Sequence, residues 1–226
     1  MTLAPFPGFE SVSGSHLWIS RLGLAGDIQD MLLADIPAAN AFLLKLSQGI
    51  AGESTTRPEN RVHFTKLSGE VTRLQDLLTI GRVRTALKVS VGGQYTGRIL
   101  PPSEKYFLGG TRFGRGFFSG EVSGDRAIGS TIELQANTGF SELPFAAPEY
   151  RLPAQFYGFW DYGRGFNLAP GDISKTVQSV GLGVRSDLTS WLFGEIEGVH
   201  RLTIHPQGAN VTEKGYAFFA RVTLHY

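Results

Sequence analysis

The chain contains no cysteine, which excludes a disulfide framework and any thiolate metal site. It has no apolar run near the ~18 residues that a membrane-crossing helix needs. It is poor in charge: Asp, Glu, Lys and Arg make up 18% of its 226 residues, against ~25% in a usual soluble domain. The net charge is only +1, so no basic field calls for nucleic acid. The opening MTLAPFPGFESVSGSHLWIS lacks a basic segment followed by an apolar core and does not read as a signal peptide. None of these absences bears on a membrane β-barrel, whose spanning strands are short and alternate in polarity.

What is abundant is glycine, 29 residues, and aromatic side chains, 12%. The dominant period is two. In RVRTALKVSVGGQYTG, residues 82–97, Val83, Thr85, Leu87, Val89 and Val91 fall on one face. Arg82, Arg84, Ala86, Lys88, Ser90, Gly92 and Gln94 fall on the other, because successive side chains of a strand point to opposite sides. The same alternation recurs in AIGSTIELQANT (127–138), VQSVGLGVRS (177–186) and KGYAFFARVTLHY (214–226). An arginine facing lipid at the bilayer midplane costs ~2–4 kcal/mol. Arg82, Arg84 and Lys88 share one parity, and Glu133 and Arg221 sit on the polar parity of their own strands, so all of them fit a watery lumen. The rival is a soluble sandwich with one wet face per sheet, but strand length and aromatic strand ends favour lipid.

Connections alternate in length. SDLTS (186–190) and QDLLTIG (75–81) read as short. AGESTTRPENR (51–61), RGFNLAPGDISKT (164–176) and HPQGANVTEKG (205–215) read as long and polar. Short turns on one side and long loops on the other are the plan of an outer-membrane barrel. Upstream, SHLWISRLGL (15–24) and NAFLLKLSQGI (40–50) read as strands, and GDIQDMLLADIPAANA (26–41) between them as holding a helical turn. About nine strands are expected in all.

The longest loop, FLGGTRFGRGFFSGEVSGDR (107–126), is rich in glycine and arginine. It lacks the Gly-Lys-Ser/Thr ending of a phosphate-binding loop and does not fit G-x-G-x-x-G. Glu121 and Asp125 argue against an RNA-binding Arg/Gly segment. Glu195 and Glu197 lie two apart on one strand face and could mimic a carboxylate pair, but lumen-lining charge explains them better. No Ser/His/Asp context accompanies them. His16, His63, His200, His205 and His225 show no metal spacing. The residues therefore predict no enzyme and no cofactor.

The stretch LGGTRFGRGFFSGEVSGDRAIGSTIEL (108–134) resembles the lumen-inserted loop and following strand of the ShlB/FhaC/HecB family of haemolysin secretion/activation proteins, the outer-membrane transporters of two-partner secretion. The family's loop has the form L-G-G-x-x-x-V-R-G-[YF]. Arg115, Gly116 and Phe117 occupy its core, and Gly114 stands where valine is frequent. FYGFWDYGRGF (156–166) is similar to the family's F-x-D-x-G strand motif, with Phe159, Asp161 and Gly163. SVGLGVRSDLTSWLFGEIEG (179–198) is similar to its penultimate hairpin, and terminal Tyr226 resembles a barrel-assembly signal.

The resemblance implies an all-β fold: residues 1–226 as the C-terminal part of a transmembrane antiparallel β-barrel, about nine strands of a family total of sixteen, with a long inserted loop at about 106–126. The family's periplasmic POTRA domains find no counterpart in the sequence. The resemblance also implies that Arg115 pairs with Asp161 inside the barrel, and that a haemolysin or filamentous adhesin is exported across a Gram-negative outer membrane without nucleotide. Its implied partners are that secreted protein, membrane lipid and the barrel-assembly machinery. A barrel-assembly factor of the same superfamily and a passive porin-like barrel are the alternative readings.

Overall fold

The computed structural model describes residues 16–33, 35–53, 63–139, 153–204 and 214–225. Apart from one 3-10 turn at Pro102–Glu104, all its regular structure is strand. The strands are β1 (His16–Leu33), β2 (Ile36–Glu53), β3 (Thr65–Ile80), β4 (Val83–Thr96), β5 (Tyr106–Leu108), β6 (Val122–Gly124), β7 (Arg126–Gly139), β8 (Pro153–Phe166), β9 (Lys175–Thr189), β10 (Leu192–Arg201) and β11 (Tyr216–Leu224). Nine of them form one sheet in the order β1-β2-β3-β4-β7-β8-β9-β10-β11, and β5 pairs with β6 in a small separate ribbon. Every pairing is antiparallel. The sheet is a continuous meander, interrupted only where residues 97–125 leave β4 and return to β7.

Alternation decides which side of each strand is buried. On β4, Ala86, Ser90, Gly92, Gln94 and Thr96 are buried, while Val91 and Tyr95 between them are exposed. On β7, Ala127, Gly129, Thr131, Glu133 and Gln135 are buried, against exposed Ile128, Ile132 and Leu134. The buried parity carries the polar groups and the exposed parity the apolar ones, the inverse of a water-soluble sheet. Residues 97–125 lie against the polar parity. Within five residues Arg112 pairs with Glu70 of β3 and the Gly116 carbonyl accepts from Arg201 of β10. Those strands are five pairings apart, so the sheet curls around the loop.

The structure corrects several local expectations. The described residues of 26–41 hold no helical turn: β1 and β2 form a hairpin, paired from Asp30↔Ala38 to Leu33↔Ile36, with Asp35 at φ 57° between them. Residues 75–80 belong to β3, and the short connection is Gly81–Arg82 alone. Likewise β9 runs to Thr189, which reduces that turn to residues 190 and 191. The loop between β8 and β9 narrows to residues 167–174, and the long loop starts at Gly97, earlier than expected. At the short-turn end β7 stops at Gly139 and β8 begins only at Pro153, a departure from the alternation. Most of residues 51–61 and of 205–215, expected as loops, lies outside the described residues.

On β1–β3 one charged group faces outward. Arg73 shares the outward parity of Leu67 and Val71, since it pairs with Val89 while neighbouring Thr72 pairs with buried Ser90. Its guanidinium holds Asp30 through Nη1–Oδ2 at 2.8 Å and Nη2–Oδ1 at 3.1 Å. It also donates to Asn40 Oδ1 at 2.8 Å and to Gln75 Oε1 at 2.6 Å. The four residues form a neutral, internally bonded island on a largely apolar face.

Candidate functional site

The loop folds as root, stem and tip. The stem is the β5–β6 ribbon, paired from Tyr106↔Gly124 to Leu108↔Val122. The tip, residues 109–121, turns back on itself: Gly109 N–H donates to the Phe113 carbonyl at 2.8 Å and Gly110 N–H to the Phe117 carbonyl at 2.9 Å. Leu108, Phe113, Phe117 and Val122 of the loop form one buried cluster with Ala127 of β7 and Val177 of β9. The loop thus carries apolar side chains of its own into the interior.

Glycine makes two of these fits possible. Gly114 and Gly116 flank Arg115 at φ 108° and 94°, a region that L side chains avoid. A Cβ on them would also meet Val177 at 2.9 Å and Val199 at 2.7 Å. Gly129 of β7 is a socket for Phe113, whose ring carbon Cγ would lie 2.6 Å from any Cβ there.

The tip presents Arg115 to a set of carboxylates. Its Nε and Nη2 donate to Asp161 Oδ2 and Oδ1, each at 3.0 Å. Its backbone N–H reaches the same Oδ2 at 2.8 Å, and Gly114 N–H at 3.3 Å. Nη1 donates to Glu133 Oε2 at 2.7 Å and lies 3.7 Å from Glu197 Oε2. The Arg115 guanidinium carbon stands 3.4 Å from the centre of the Phe159 ring, a cation–π contact. Asp161 is fully buried and Glu133 nearly so. Burial by itself disfavours the arginine's charge, but the bonds to Asp161 and Glu133 outweigh it and hold the guanidinium above its usual pKa.

The network extends along the inner wall. Arg185 of β9 donates to Glu133 Oε1 at 3.0 Å. The Tyr157 hydroxyl lies 2.8 Å from Glu195 and 3.0 Å from Glu197. Arg221 of β11 approaches Glu195 at 3.4 Å. Beneath the tip Glu133, Arg185, Glu195, Glu197 and Arg221 line a cavity of about 560 Å³, together with Glu70, Lys88 and Arg112. It is a space of mixed charge. Among the described residues no group of His, Asp and Glu is placed to hold a metal.

The structure therefore brings Arg115 together with Phe159 and Asp161. Gly163 lies beneath Leu108, whose Cδ2 would stand 3.1 Å from a Cβ there. Phe117 packs in the buried cluster with the Arg201 guanidinium 5.6 Å from its ring centre. Tyr226 lies outside the described residues. Sequence reasoning missed Glu133 and Glu197 as partners of Arg115. Both sit on the inward parity of their strands, the one signal that marks them.

A sheet apolar outside and polar inside, curled around its own inserted loop, is part of a transmembrane β-barrel. The sequence profile of the Omp85 superfamily domain matches residues 41–191, and the chain belongs to that superfamily. Among solved structures it is similar to CdiB from Acinetobacter baumannii, with a TM-score of 0.64 and 19% sequence identity. That match covers 92% of this chain and 34% of CdiB, so the chain spans about a third of its length. At this identity the likeness speaks for the fold. No curated protein sequence matches the chain.

Proposed function

We propose that the chain is the C-terminal part of an outer-membrane transporter that exports a polypeptide of the haemolysin or adhesin type, the two-partner secretion activity of the ShlB/FhaC/HecB family. The observation that carries this reading is Arg115, held inside the sheet by Asp161, Glu133 and Phe159. An inserted loop fixed by an ion network closes the lumen at rest, and a mixed-charge wall offers a translocating chain no sticky apolar surface. Phe117, Gly116 and Gly163 serve the fit of that loop, and Tyr226 serves recognition by the barrel-assembly machinery. Lipid meets the opposite face, and no step needs a cofactor or nucleotide.

The test is secretion of the cognate partner by the full-length transporter in a Gram-negative host, with and without Arg115→Ala. Loss of secretion with the barrel still assembled supports the reading. Normal secretion of the partner, joined to a failure of other outer-membrane barrels to assemble, points to an assembly factor and overturns it.

A further inference from the structure

The tip clamp does not account for how the loop is held at its base. Glu104, in the 3-10 turn at the root, is buried. Its Oε1 accepts from Arg21 Nη2 of β1 at 2.7 Å, and its Oε2 lies 3.0 Å from Lys66 Nζ of β3. Lys66 also donates to the Glu104 carbonyl at 2.7 Å and to Gln94 Oε1 at 3.1 Å. Gln94 of β4 joins the two legs of the loop: its Nε2 lies 3.1 Å from the carbonyls of both Glu104 and Asp125. Asp125, on the returning leg and fully buried, accepts from Leu100 N–H at 2.9 Å and from Leu168 N–H at 2.8 Å.

This root and the tip have no residue in common. The root is fastened chiefly to β1, β3 and β4, the tip's arginine to β7, β8 and β10. The stem stands between them, and it meets the tip at Gly109, Gly110 and Gly120, all at positive φ (100°, 78° and 76°). Such joints let the chain redirect without side-chain strain.

We propose that Glu104 is a second, independent anchor of the inserted loop: a positioning residue whose pairing with Lys66 and Arg21 keeps the root in place when the tip leaves its carboxylates. Taken with the transport reading, on which this consequence rests, the lumen opens by movement of residues 109–121 about the stem, not by expulsion of the whole loop. Clamps that share no partner lose their contributions additively.

The experiment uses the full-length protein in proteoliposomes, with a nitroxide on a cysteine at Ser103 to report the root or at Thr111 to report the tip. Glu104→Gln is expected to abolish the immobilised component of the spectrum at 103 and to leave that at 111 unchanged. Arg115→Ala is expected to do the reverse. A charge-exchanged variant, Glu104→Lys with Lys66→Glu and Arg21→Glu, is expected to restore immobilisation at 103, which a purely steric role for residue 104 would not. If Glu104→Gln mobilises both reporters together, or neither, or if the exchange restores nothing, the proposal is overturned. Should Glu104→Gln fail to assemble, the exchanged variant alone decides: ordered at 103 it supports the anchor, and unassembled or mobile it refutes it. These spectra do not depend on secretion, so a wrong transport reading would leave them unaffected.

Discussion

The Arg115 guanidinium lies fork to fork on the Asp161 carboxylate, with both contacts at 3.0 Å, though the two residues stand 46 positions apart in the sequence. Breaking a buried ion pair by removing one partner costs ~3–5 kcal/mol, because the other charge is left uncompensated. The two sides are not equivalent here. Asp161→Ala leaves Arg115 with Glu133, whereas Arg115→Ala takes the guanidinium from Asp161 and leaves Glu133 with Arg185. Arg115→Ala is therefore expected to be the more damaging single change, and the double variant to be little worse than it. Denaturant unfolding of the full-length barrel in detergent checks this, and strictly additive losses would show the residues to act separately.

Face assignment is testable by chemistry. Cysteines at Val83, Leu87 and Val89 should meet lipid, and those at Arg84, Lys88 and Ser90 should meet water, since the strand period is two. A membrane-impermeant thiol reagent applied to the reconstituted full-length barrel is expected to label the second set preferentially. Equal labelling of both sets would remove the membrane-strand assignment.

The outward polar island makes a different demand. Asp30→Ala leaves the Arg73 guanidinium facing the apolar side without its carboxylate. The assembled fraction of the full-length barrel, read as heat-modifiable mobility on a gel, is expected to fall. Adding Arg73→Met should recover it, because an apolar replacement of both partners leaves no stranded charge. A double variant as poor as the single would mean that the island acts through something other than its charge balance.

Gly129→Leu tests the socket under Phe113. Overfilling a packed site costs ~1–3 kcal/mol, and here the strain falls on the loop's cluster because Phe113 has to withdraw. Protease cleavage within residues 109–121 is expected to accelerate while the strands remain protected. Unchanged cleavage would show that Phe113 does not hold the tip.

Much of the sheet was legible because its faces are chemically unlike, and the failures fall where that contrast breaks. In residues 26–41 Asp30 and Asn40 place polar side chains on the outward parity, so the pattern blurs and the hairpin reads as a turn of helix. In β3 the register shifts between Asp76 and Thr79, which scrambles the parity and made the end of a strand look like a connection. At the site, the pairing of Arg115 with Asp161 came from motifs, but nothing gave Glu133 and Glu197 as further partners of Arg115. Lumen-facing glutamates are common on such strands, and only the curl of the sheet selects these two. Glu104 was equally silent, since its partners Arg21 and Lys66 lie 83 and 38 residues away.

The excursion of residues 97–125 between β4 and β7 also bears on how the chain folds. Closure entropy rises only with the logarithm of loop length, by ~0.6 kcal/mol for each doubling. Against the eight-residue connection of β8 to β9, this loop therefore adds only about 1 kcal/mol to the cost of joining its two strands. Because the plug belongs to a hairpin connection, it is delivered to the interior by the same zippering of neighbours that builds the sheet. No separate docking step with a diffusional search of its own is required. The inserted loop is thus put in place as its two flanking strands pair.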